Sequence, residues 1–209
     1  MKTEDADYTH IEKTYDEGSA DYSGYFPQPH EFIEPERLQF IKRLPTGSKI
    51  LDCGCGPGMD TERFARQGYQ VTAIDLSEHF VELAKKRVPN AQVRKMDMRY
   101  LAFPEASFDG VWSSFSLLHI RALEVGKTLS GFKSVLRTGG LFFAALHRGP
   151  KTDWVKTTIS GMERDTYVQE WSQSEIEAVV EAAGFRIVVS RPFVRTGGRY
   201  PLLSILAHT

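Results

Sequence analysis

From about residue 47 onward, short apolar runs alternate with longer amphipathic ones, the pattern of βαβ units wound around a mostly parallel sheet. Strands are predicted at Lys49–Cys53, Gln70–Ile74, Ala91–Lys95, Phe108–Ser113 and Gly140–Leu146, and helices at Met59–Gln67, Glu78–Arg87 and Leu123–Leu136. Ser77 is placed to cap the second helix, with Glu78 in its first turn and Pro89 beyond its end. Gly139 and Gly140 read as the stop of the third. Later, Ser174–Ala183 forms a helix closed by Gly184, followed by strands at Phe185–Ser190 and Tyr200–Ala207. These two lie too close together for a crossover helix and must pair antiparallel. The expected fold class is α/β: a seven-stranded sheet with six parallel strands and an antiparallel last strand, helices on both faces.

Two segments break the rhythm. Residues 1–46 carry helical patterns rich in aromatics, and residues 148–170 read as a long polar, irregular insertion after the fifth strand. Such connections in compact domains are often lids or binding loops. With 209 residues the chain suits one domain and is short for two. The expected division is a single domain over 1–209: N-terminal lid helices over 1–46, a binding core over 47–147, the substrate-side insertion over 148–170, and a C-terminal helix with a β-hairpin over 171–209.

Charge is nearly balanced, 26 Lys and Arg against 27 Asp and Glu, so no global field favours nucleic acid or an anionic membrane. No apolar run approaches the ~20 residues of a spanning helix, and the first residues are acidic where a signal peptide would be basic. A soluble cytoplasmic protein, monomer or homodimer, is expected. Cys53 and Cys55 have no second pair with which to hold zinc and read as reduced thiols; no metal site is expected.

The chemistry concentrates in Ile50-Leu-Asp-Cys-Gly-Cys-Gly-Pro-Gly58, a glycine turn between a first strand and a helix, where bare backbone admits a ligand. A dinucleotide site wants Gly-x-Gly-x-x-Gly, but the glycines here are Gly54, Gly56 and Gly58, with Met59 in the last slot. Pro57 removes an N–H and Asp60 puts a negative charge at the helix start, both unfavourable to a pyrophosphate. Asp75 ends the second strand and Asp97 the third, so with Asp52 three acids reach the sheet edge where open α/β folds bind ligands. An ionised Asp75 can accept both hydroxyls of a ribose.

These motifs resemble those of the class I S-adenosylmethionine-dependent methyltransferases, whose first motif is two hydrophobic residues, an acid, any residue and Gly-x-Gly-x-Gly, and whose sheet is Rossmann-like. The likeness runs from about Tyr15 to the last strand. It implies S-adenosyl-L-methionine as cofactor, with Asp52, Gly54, Cys55, Gly56 and Gly58 around its methionine portion, Asp75 on the ribose, Leu76 against the adenine, and Asp97 with the Met98 backbone at the adenine edge. Phe108-Asp-Gly-Val-Trp-Ser-Ser-Phe-Ser-Leu-Leu-His-Ile120 is similar to the fourth motif, placing Ser114 and Phe115 near the methionine end. Tyr15-Asp-Glu-Gly-Ser-Ala-Asp-Tyr22 resembles a Tyr-Asp-x-x-Ala-x-x-Tyr lid element, departing at Ser19. Tyr15 and Tyr22 share one helical face, which serves equally for a lid over the cofactor or for burial in a core.

Methyl transfer from a sulfonium chiefly needs alignment and exclusion of water; alignment can supply ~7–11 kcal/mol. His119 and His147, at the ends of the fourth and fifth strands, are the candidate bases, each with a purely structural role as the competing reading. Ser113-Ser-Phe-Ser116 stands where nucleic-acid amino-methylating enzymes resemble one another in an Asp/Asn-Pro-Pro-aromatic, so a small acceptor with an O or N nucleophile is expected, and no nucleic acid. A cofactor-binding protein without catalysis and a nicotinamide-dependent reductase are the alternatives.

Overall fold

The computed structural model describes residues 6–25, 31–150, 152–159, 162–194 and 201–209. The strands β1 (Lys49–Cys53), β2 (Gln70–Asp75), β3 (Gln92–Lys95), β4 (Phe108–Ser114), β5 (Leu136–His147), β8 (Arg186–Phe193) and β9 (Leu202–His208) form one sheet in the order β3-β2-β1-β4-β5-β9-β8. Six strands run in one direction, and β9 lies between β5 and β8 antiparallel to both. The number and directions of the strands are those predicted from the apolar pattern, and their order in the sheet is added by the structure. Because β1 connects outward to β2 while β4 lies on its other side, the crevice at the carboxyl ends of β1 and β4 is the topological switch point where ligands bind.

Alternate residues of each strand feed two cores. Ile50, Val71, Trp112, Phe143 and Ala145 pack with Phe40 of α2 (Glu34–Ile41) and Phe64 of α3 (Met59–Arg66) on one face. The Trp112 and Phe143 rings stack at 3.9 Å in its middle. Leu51, Ile74, Val111, Phe142 and Ala144 face the other way, against α5 (Ala122–Val135) and α6 (Gln173–Ala182). The helix α4 (Glu78–Arg87) starts at Ser77, whose hydroxyl accepts from the Phe80 amide at 3.1 Å, as its cap position predicts.

Two expectations change. The glycines Gly139 and Gly140 do not end α5; the helix stops at Val135, and β5 begins at Leu136 with an irregular register between the Phe108–Leu136 and Gly110–Leu141 pairs. A Cβ on Gly140 would lie 2.8 Å from the Arg137 carbonyl oxygen, so this glycine permits the bulge. The insertion is not irregular either. It is an antiparallel hairpin of β6 (Thr152–Ile159) and β7 (Met162–Gln169), in which Trp154 pairs with Tyr167. Its Thr, Val, Ile and Tyr residues suit paired strands, and the threonines and charges among them masked the alternation.

The N-terminal helix α1 (Ala6–Tyr25) joins these parts. Its Thr14 hydroxyl donates to the Asp165 carbonyl of β7 at 3.0 Å, and Arg164 of β7 donates to Glu17 at 2.6 Å. Lys95 of β3 meets Glu12 at 2.7 Å, and Asp16 accepts from the Ser77 hydroxyl and the His79 amide at the start of α4. No helix among the described residues is long and apolar enough to cross a membrane.

Candidate functional site

One cavity of about 160 Å³ opens at the switch point. Its lining takes the loop after β1, the ends of β2, β3 and β4, and the Tyr8, Ile11 and Tyr15 face of α1. Of the residues expected at the site, Tyr15, Asp52, Gly54, Cys55, Gly56, Asp75, Leu76, Asp97, Met98, Ser114, Phe115 and His119 all line it. Gly58 and His147 do not. His147 lies behind the wall, its ring 6.2 Å from that of Phe115. Tyr22 falls in α1, but its side chain lies outside the described residues.

The three glycines divide their work in a way that spacing alone conceals. A Cβ on Gly54 would sit 2.3 Å from the Ser116 Cβ, and one on Gly58 would sit 3.0 Å from the Ala84 Cβ. Both positions are bare because the protein's own elements approach there. At Gly56 nothing lies within 4 Å, so this is the glycine that faces open space. The Gly54 and Cys55 amides donate to the Ile74 carbonyl, tying the loop to β2, and the Gly56 amide donates to Asp75 Oδ2 at 2.8 Å.

Each acid has a distinct setting. Asp52 is buried, its Oδ2 accepting from the Thr61 hydroxyl at 2.6 Å; burial, reinforced by Asp60, pushes its carboxyl up to about 8. Asp75 accepts from the Gly56 and Ser77 amides, which favour its charged form, yet burial prevails and raises it to about 6. Asp60, also raised by burial, accepts from the Trp112 indole at 2.9 Å. Asp97 is gripped by Arg99, which donates from Nε and Nη2 and whose guanidinium also lies 3.3 Å from the centre of the Tyr8 ring. Burial pushes both thiols well above their usual range, so Cys53 and Cys55 are inert small side chains.

At the other end, Phe115 holds a left-handed backbone (φ 55°), unusual for a bulky residue and costing on the order of 1–3 kcal/mol. Beside it the Ser114 hydroxyl is buried without a hydrogen-bond partner. His119 Nδ1 lies 2.7 Å from the Tyr167 carbonyl oxygen and Nε2 lies 2.8 Å from the Tyr15 hydroxyl. Burial lowers His119 to about 4, so the ring is neutral at ordinary pH.

Sequence reading missed Thr61, Arg99 and Tyr8. The first two act through Asp52 and Asp97 rather than through any motif. Tyr8, Ile11 and Tyr15, by contrast, recur at helical spacing and carried a readable signal.

A glycine loop followed by strand-end acids, on a sheet of this order, defines a Rossmann-like domain with an acid-lined crevice at its switch point. Residues 50–140 match the family model described as a methyltransferase domain. An S-adenosyl-L-methionine-dependent Diels-Alderase of Talaromyces variabilis is 39% identical over 115 residues, covering 51% of this chain and 39% of its own. A ubiquinone biosynthesis O-methyltransferase of Albidiferax ferrireducens is 33% identical over 141 residues, covering 63% and 55%. The chain thus spans about half the length of the curated relatives it matches, or less. Among solved structures, the 1,6-didemethyltoxoflavin-N1-methyltransferase of Burkholderia thailandensis, with bound 1,6-didemethyltoxoflavin and S-adenosylhomocysteine, shares the fold with a TM-score of 0.81 at 21% identity, over 100% of this chain and 91% of its own. Over residues 50–140, which carry the glycine loop and the three strand-end acids, the chain is similar to methyltransferases, and the cofactor this similarity implies is S-adenosylmethionine. The residues present fit that group: four acids line the cavity, with no lysine or arginine among its described lining residues, and the Ser114 hydroxyl awaits a partner.

Proposed function

We propose that the protein transfers the methyl group of S-adenosylmethionine to an oxygen or nitrogen atom of a small-molecule acceptor by in-line displacement. The observation that carries this reading is the acid-lined cavity: Asp52, Asp75 and Asp97 stand at the ends of three adjacent strands around one space. Such a wall attracts a ligand carrying an ammonium and a sulfonium and repels a pyrophosphate, which speaks against a nicotinamide dinucleotide.

In this reading Asp75 takes the ribose hydroxyls. Its two oxygens have roughly four acceptor sites, and the Gly56 and Ser77 amides use two. Leu76 packs on the adenine, and Asp97 with the Met98 backbone meets its edge. Asp52 and the loop from Gly54 to Gly56 flank the methionine portion, with Ser114 and Phe115 beyond. When bound, the cofactor supplies a methyl on a leaving group already activated by its charge. The chain then has to align the acceptor and exclude water. The helix α1 and the β6–β7 hairpin, joined through Thr14, Glu17 and Arg164, form the lid that does so.

Titration calorimetry with S-adenosylmethionine, S-adenosylhomocysteine and NAD, together with transfer of labelled methyl into a metabolite extract, tests this. Micromolar binding of the first two and a labelled small-molecule product are expected; binding of NAD alone would sink the reading. Tight cofactor binding with no labelled product would favour a second one, in which the cofactor is retained without methyl transfer. The relative named as a Diels-Alderase motivates that alternative.

A further inference from the structure

We infer that Tyr15 takes the proton from the methyl acceptor while passing its own to His119, and that the acceptor atom is accordingly a hydroxyl oxygen or an aromatic ring N–H rather than an aliphatic amine. This rests on the methyltransferase reading above.

The direction of the line follows from its far end. A carbonyl oxygen can only accept, so His119 Nδ1, 2.7 Å from the Tyr167 carbonyl, carries the hydrogen. Nε2 is then the bare nitrogen, and at 2.8 Å it accepts from the Tyr15 hydroxyl. With its hydrogen committed to His119, the Tyr15 oxygen meets a cavity ligand as an acceptor. Both side chains line the cavity, Tyr15 from α1 and His119 from the 3₁₀ turn Leu117–His119 that follows β4. The acceptor therefore has to present X–H to Tyr15.

The step balances. The bond between X and the methyl carbon forms as the sulfur–methyl bond breaks, and the electron pair of that bond stays on sulfur. The X–H proton moves to the Tyr15 oxygen as the Tyr15 proton moves to His119 Nε2. One positive charge leaves sulfur and one appears on the imidazole.

The same geometry limits the acceptor. The groups facing His119 are the Tyr15 hydroxyl from α1, the neutral Tyr167 carbonyl from β7, and His147 at the end of β5, whose proximity disfavours a second charge. A histidine oriented by a carboxylate gains help in holding a proton; the Tyr167 carbonyl gives His119 some, but burial outweighs it and lowers the basicity of this ring. Such a base takes a proton only from a group made strongly acidic by methylation. A methylated hydroxyl or aromatic ring nitrogen meets that condition, whereas a methylated aliphatic amine holds its proton more tightly than His119 can.

The test uses labelled S-adenosylmethionine with a metabolite extract, the wild type, Y15F, H119N and the double variant. Each single change should slow labelling on the order of a hundredfold or more, and the double variant should be no slower than either. Affinity for S-adenosylhomocysteine should be unchanged in Y15F. Mass spectrometry should find the label on a hydroxyl oxygen or aromatic ring nitrogen. Nitrogen NMR of histidine-labelled protein with S-adenosylhomocysteine should show His119 protonated at Nδ1 and bare at Nε2, with the Nε2 resonance shifted in Y15F. Additive effects, an unaffected Y15F, an aliphatic N-methyl product or the opposite tautomer would each overturn the inference. No labelled product from the wild type would instead remove the methyltransferase reading on which it rests.

Discussion

Gly54 and Ser116 are pressed together so that a Cβ on the glycine would lie 2.3 Å from the serine Cβ. The Ser116 hydroxyl donates to the Cys53 carbonyl at 2.6 Å, so the loop after β1 and the turn after β4 are locked across the switch point. Gly56, two residues on, faces open space. Gly54→Ala adds a clash to a left-handed backbone (φ 73°) and should cost about 3–5 kcal/mol or prevent folding. Gly56→Ala should cost only about 1–2 kcal/mol and show its effect in cofactor affinity. Denaturation midpoints and calorimetry separate the two; equal destabilisation would refute this division of roles.

Thr61 is fully buried beneath Asp52 and donates to its carboxyl. Thr61→Val removes that donor while keeping the shape, leaving a buried acid short of a partner. A stability loss of about 1–3 kcal/mol is expected, with Thr61→Ser recovering most of it. Thermal melts of the three proteins decide this, and an unchanged Thr61→Val variant would contradict it.

Binding should depend on pH through Asp52 and Asp75. With carboxyls raised to about 8 and about 6, the native protein keeps protons that the unfolded chain releases near its ordinary value of about 4. The native state binds more protons in that window, so this contribution to stability falls as pH rises from about 4 to 8. A bound cation favours the ionised carboxylates, so S-adenosylmethionine should expel protons and bind more tightly as pH rises from about 6 to 8. Calorimetry near neutrality in buffers of different ionisation enthalpy reads the expelled protons directly. Identical heats in all buffers would exclude the effect.

Arg99 joins Asp97, Glu124 and the Tyr8 ring, and so links the Asp97 wall of the cavity to α1. Arg99→Ala should weaken S-adenosylhomocysteine binding by about tenfold, or ~1.4 kcal/mol. Arg99→Lys keeps the charge but loses the planar fork, and should rescue only part of it. Full rescue by lysine would show that charge alone matters.

Much of this molecule is legible in its sequence because local physics writes it there. Burial on both sheet faces produced the apolar runs of β1, β2, β4 and β5, the Ser77 cap marks the start of α4, and the short link before β9 forced antiparallel pairing. The strand-end acids follow from the same pattern, since a strand's end is where its apolar run stops. The hairpin β6–β7 was harder: its alternation is carried by threonines and charges, and its partner in pairing is itself.

What the sequence by itself determined is the number and direction of the strands and the acids at their ends, because each is written in a run of neighbours close in the chain. Tertiary structure alone decided which glycine is open, which residues brace Asp52 and Asp97, and that Tyr15, His119 and the Tyr167 carbonyl stand in one line. Those relations join residues far apart in sequence, where close packing, not local periodicity, sets the distances.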